Sequence, residues 1–150
     1  MESGIQREDV CRFFAGYADS FANYDVSAIS KMWELPAYIC GQAYGKCFLD
    51  RKLFEENTAK RCALYRNYGM VQVEAKVLET NCLFEGVWAA TVAYRLMNKF
   101  GRAIISWHHF YLLRAKEGVL RAFVAVADGE QSAWENLFNE KTATRAHRGR

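Results

Sequence analysis

Two adjacent histidines, His108 and His109, lie within a long run of apolar and aromatic residues. Imidazole is the side chain best suited to exchange a proton or hydrogen-bond an oxygen near neutral pH. Successive side chains of a strand point to opposite faces, so one histidine must look inward, and register decides which. Tyr17 beside an inward imidazole would make a pair of donors. The phenol gives one hydrogen bond and a neutral imidazole another, enough to hold a carbonyl, enolate or phenol oxygen in apolar surroundings. A core tyrosine whose hydroxyl finds a backbone acceptor, and a half-buried structural histidine, are the bland alternatives at both positions. Asp25 is a carboxylate, but its place before a helical segment suits an N-cap better than catalysis. Trp33, Tyr38, Tyr44, Trp88, Tyr94 and Trp107 would make any cavity aromatic, although such sets more often form plain core. Arg95 and Arg114 suit surface pairing, or the holding of a ligand carboxylate. The five cysteines are odd in number and never spaced as CxxC, and the three histidines show no metal-ligand spacing. Buried free thiols, no metal and no cofactor are the expectation, with Cys40 the thiol most worth testing.

The elements that must position these groups belong to one domain. The chain has 150 residues, 51% hydrophobic and 25% charged. That is enough to bury a core, and it excludes both a second domain and a disordered chain. The formal charge is +3, yet Lys141, Arg145, Arg148 and Arg150 supply four positive charges at the C-terminal end, leaving 16 basic residues against 17 acidic ones. The body has no positive excess with which to track phosphates, so no nucleic-acid partner is expected. No segment nears the roughly 18 apolar residues of a membrane span, and the first residues lack the order of a signal peptide. A cytoplasmic protein with no membrane partner is expected.

Ser3 and Gln6 fit a capping box, and Val10, Phe13, Phe14, Tyr17, Phe21 and Tyr24 recur at helical spacing. Asp25 caps a shorter helix that Pro36 stops at Leu35. Ala37 to Leu49, broken by Gly41 and Gly45, reads as two short strands. Asp50 starts a third helix with a buried stripe of Phe54, Thr58, Cys62, Tyr65 and Tyr68, ended by Gly69. Alternation then takes over, clearest in Val71, Val73, Ala75 and Val77 against Gln72, Glu74 and Lys76. Val87 to Met97, Ala103 to Arg114 and Val119 to Ala127 complete a four-strand meander. Glu130 to Glu140 reads as a terminal helix. The resulting organisation is an α+β domain over residues 1–140 followed by a basic flexible tail, 141–150. Because the last three strands are apolar on both faces, helices can cover one face and a second subunit the other, which predicts a homodimer.

In this order, and in the segments 13–21, 24–33, 100–102 and 108–114, the chain resembles the nuclear transport factor 2-like superfamily. Ketosteroid isomerases, SnoaL-type cyclases and scytalone dehydratase share that fold. The resemblance spans about residues 8–128 and implies a cone-shaped, curved antiparallel sheet wrapped around the N-terminal helices. Against the isomerases, the oxyanion-donating tyrosine falls on Tyr17, and the second donor, an aspartate there, is replaced by His108. The position of the general base falls near Cys40 or Gly41, where there is no carboxylate. The dehydratase tyrosine–aspartate pair falls on Phe21 and Ala22. The isomerase comparison turns His108 inward with Ser106, Phe110 and Leu112, whereas placing Tyr111 on the dehydratase pattern turns His109 inward with Trp107. Taking the former, the expected ligand-binding residues are Tyr17, His108, Tyr38, Phe110 and Trp33, with no catalytic residue assigned. The expected function is binding of a small hydrophobic, oxygenated molecule. The alternatives are an isomerase, cyclase or hydrolase acting on a polyketide- or steroid-like compound, and a non-catalytic dimeric interaction domain.

Overall fold

The computed structural model describes residues 4–148. Helix α1 (Arg7–Ala22) buries Val10, Phe13, Phe14, Tyr17 and Phe21 along one face. Its start is closed by Asp9, whose carboxylate accepts the Gln6 N–H at 2.8 Å; the expected cap at Ser3 lies outside the described residues. Helix α2 (Val26–Lys31) begins where Asp25 accepts the Ala28 N–H at 3.1 Å. It ends well before Pro36, because strand β1 (Trp33–Cys40) already pairs with a distant strand from Trp33 onward, and the Met32 carbonyl accepts the Ala122 N–H at 2.9 Å. Pro36, which has no N–H to donate, falls in the stretch between Trp33 and Tyr38 where that pairing is interrupted. After β2 (Gly45–Phe48), Asp50 caps α3 (Arg51–Asn67), and Gly69, at φ 78°, takes the left-handed turn that ends it.

Strands β3 (Met70–Phe84), β4 (Val87–Asn98), β5 (Ala103–Lys116) and β6 (Val119–Val126) form the expected meander. The six strands make one curved, unclosed sheet in the order β2-β1-β6-β5-β4-β3. All neighbours are antiparallel except β1 and β6, which run parallel. Three register shifts along β3 and β4 mark where the long ribbon bends. Helices α1, α2 and α3 lie in the concavity and form the core with its inner face.

Two expectations are corrected here. In β5 the buried positions are Ile105, Trp107, His109, Tyr111 and Leu113, while Ser106, His108 and Phe110 are exposed. The reason is register: His109 lies opposite Val92 and Tyr111 opposite Ala90, both fully buried, so the phase of β5 is set by β4 and puts His108 on the outside. Of the expected tail, the described residues 141–148 are helical, since α4 runs as one helix over Asp128–Arg148. It starts directly after β6. Its first turn lies on the edge of β5, where a Cβ on Gly129 would come 2.3 Å from the His108 carbonyl oxygen. Its Trp134 packs on Tyr65 of α3 and on Tyr68, which caps that helix.

Candidate binding cavity

Between the helices and the inner face of the sheet lies a cavity of about 50 Å³. Phe21, Ile39, Phe54, Val73 and Leu96 supply apolar wall, and the polar groups cluster on one side. Tyr17 comes from α1 and faces inward because it belongs to the helix's buried stripe. Its hydroxyl accepts the Trp33 indole N–H at 3.1 Å. Burial pushes its pKa up to about 12, so it stays a neutral donor. The Tyr17 ring lies edge-on to Tyr111 at 6.1 Å, and Tyr111 stacks on His109 at 4.7 Å. These three side chains therefore form one cluster.

His109 is 5% exposed. Its Nδ1 accepts the Trp107 indole N–H at 2.9 Å, which places the imidazole proton on Nε2. Burial pushes the His109 pKa down to about 4, with Glu130 opposing the shift and the Arg61 charge adding to it. The ring is thus neutral, and its Nε2–H is a donor with no partner among the described residues. Tyr94 and Tyr111 share one hydrogen bond at 2.9 Å, so one of their two hydroxyl protons is also left over. With the Tyr17 hydroxyl, that makes three donors without an acceptor around one small space.

At the rim stands a partly buried ion pair. Arg61 of α3 donates to Glu130 of α4. The other Glu130 oxygen accepts from the Tyr65 hydroxyl at 2.7 Å and the Trp134 indole at 3.1 Å. Glu130 raises the Arg61 pKa, and the guanidinium stays charged. Chemically, the cavity can polarise an oxygen acceptor. Its single lining carboxylate, Glu130, is held by three donors and is not free to act as a base.

Of the residues proposed from sequence, the structure brings Tyr17 and Trp33 to the cavity and leaves His108, Phe110 and Tyr38 off it. His108 and Phe110 point outward with their phase of β5. Tyr38 alternates to the outer face of β1 and packs over Gly45, where a Cβ would meet its hydroxyl at 1.9 Å. No carboxylate replaces the missing one at Tyr38–Gly41 from within that segment. Asp128 reaches over Gly41 but does not line the cavity, and it accepts the Gln42 N–H at 3.0 Å. Sequence reasoning held His109 and Tyr111 only in the register it set aside and Tyr94 only among the aromatic residues of a possible wall, and it missed Arg61 and Glu130. For Arg61 a signal existed: it lies three residues after Thr58 and four before Tyr65, on the flank of the apolar stripe of α3. Among the described residues no three His, Cys, Asp or Glu side chains gather as a metal site, and no helix is long and apolar enough to cross a membrane.

The sequence profile of a family described as NTF2-like protein (DUF6841) matches residues 7–130. No curated protein matches this chain in sequence. Three similar solved structures carry the same fold. An NTF-2 like protein of unknown function from Shewanella oneidensis MR-1 is 11% identical with a TM-score of 0.59, over 79% of this chain and 95% of that one. Aln2 from a Streptomyces species is 13% identical with a TM-score of 0.60, over 83% and 92%. A ketosteroid isomerase-like protein from Erwinia carotovora atroseptica is 12% identical with a TM-score of 0.56, over 78% and 90%.

Proposed function

Since the chain belongs to the NTF2-like family DUF6841, we propose that its cavity binds a small, mainly apolar molecule by one neutral carbonyl-type oxygen. The observation that carries this is the set of three donors without acceptors: His109 Nε2–H, the Tyr17 hydroxyl, and one hydroxyl of the Tyr94–Tyr111 pair. Donors left unmatched in a desolvated site favour a ligand whose buried end only accepts. A bare anion suits it less, because Arg61 is already neutralised by Glu130 and the surroundings disfavour charge, as the depressed His109 pKa reflects. The volume suits a head of about three to five water-sized atoms, such as a methyl ketone, rather than a whole fused-ring system.

Methyl heptyl ketone is a direct probe. His109→Phe and Tyr17→Phe should each weaken its binding by about 1 to 2 kcal/mol, or about five- to thirtyfold in Kd. His108→Ala should leave it unchanged. Equal binding by all three variants would remove the donor cluster from the explanation. Turnover of a simple unsaturated ketone should not exceed background, because enolisation needs a free base and Glu130 is engaged. The proposed assembly is a homodimer through the outer face of the sheet. It is supported by an apolar strip on β5 and β6, where Phe110 pairs with Val126 and Leu112 with Val124, and where Phe110 is exposed.

A further inference from the structure

On the other side of the Arg61–Glu130 pair lies an open groove of about 350 Å³, between α3 and the first turns of α4. Tyr44, Leu64 and Trp134 give it apolar wall, and Gln131 and Lys60 give it polar groups. Asn57, Arg61 and Glu130 line both spaces, so the cavity and the groove are two sides of one partition. Two of the three partition residues are locked together. The third, Asn57, has no hydrogen-bond partner among the described residues, so a ligand chain passing over it breaks no existing bond.

The charges of the two sides differ. In the cavity, Arg61 and Glu130 cancel and His109 is neutral. The groove adds Lys60, which is exposed and has no ion-pair partner among the described residues, while the Asp128 carboxylate stands beside Tyr44. A neutral oxygen is matched inside and, at Lys60, a negative charge outside. We infer that the groove is a second subsite of the same binding site, and that the ligand class is an oxo-acid: a ketone-type head in the cavity and, at the far end of a short apolar chain, a carboxylate beside Lys60. The chain lies along Leu64, Tyr44 and Trp134, and the carboxylate stays hydrated enough to avoid the cost of burying it. This rests on the cavity reading above and adds the ligand's second end to it.

The test is a matched pair of probes, methyl heptyl ketone and the same ketone with a carboxylate in place of its terminal methyl group, titrated into the full chain at low and high salt. The carboxylate should bind about two- to fivefold more tightly at low salt, the range of a solvent-accessible ion pair, and lose that advantage in ~1 M salt. Lys60→Met should abolish the advantage and Lys60→Glu should reverse it, both read as the ratio of the two probes' affinities. Lys60 is exposed, so neither substitution disturbs the core. If the ketone binds in a His109-dependent way but the carboxylate gives no Lys60-dependent gain, the groove subsite is overturned and the cavity reading stands. If neither probe binds, the cavity reading falls and the subsite with it.

Discussion

The buried neutral His109 makes stability depend on pH in a calculable way. Its folded pKa is about 4 against an ordinary value of 6.5. Between those values the unfolded chain takes up a proton that the folded chain refuses, so stability is full above about pH 6.5 and is lost as pH falls toward 4. Each pH unit crossed between the two midpoints removes about 1.36 kcal/mol, so lowering pH from about 7 to 5 should cost the wild type about 2 kcal/mol from this group. The depressed pKa requires that the ring stay out of water, so it reports directly on the burial of His109 in the donor cluster. Urea unfolding at pH 7, 6 and 5 should show this loss for the wild type and for His108→Gln, whose side chain is exposed. His109→Gln should be flatter by about the same 2 kcal/mol over that range. Stopping at pH 5 limits interference from Glu34, whose pKa is lowered by its hydrogen bond to Lys116 and which loses its contribution at more acidic pH. An identical pH slope for His109→Gln and wild type, or a slope that disappears in His108→Gln, would refute both the strand register and the neutral imidazole.

Glu130→Ala should destabilise the protein by about 3 to 5 kcal/mol in urea unfolding, because it leaves the half-buried Arg61 without its partner. Combining it with Arg61→Met should recover much of that loss, since removing both members of a buried pair costs far less than removing one. Sedimentation of the wild type at micromolar concentration should give a dimer, and Phe110→Glu should give a folded monomer; a monomeric wild type would leave the outer strip of β5 and β6 without the proposed cover. Asp50→Ala should cost about 1 kcal/mol in the same unfolding assay, as its carboxylate accepts the Lys52 N–H at 2.7 Å at the start of α3.

Much of the architecture is written in short-range signals. Asp25 and Asp50 cap their helices and Gly69 ends α3 because a cap needs only a side chain two or three residues from the backbone group it meets. The wet face of β3 is legible in Gln72, Glu74 and Lys76, since alternating polarity identifies the outside of a strand. Strand β5 carries no such mark. Ile104, Phe110 and Leu112 on one face are as apolar as Ile105, Tyr111 and Leu113 on the other, so only pairing of His109 with Val92 in β4 decides that His109 lies inside. The end of α2 is hidden from local spacing for a related reason: Trp33 leaves the helix to pair with Ala122, a residue far along the chain. The ion pair that separates cavity from groove joins Arg61 and Glu130 across 69 positions, which no local spacing encodes. Sequence thus determined the elements and one of the oxygen donors, Tyr17. Tertiary structure decided which histidine joins it and what closes the cavity, because strand phase and the meeting of α3 with α4 exist only once the sheet has paired.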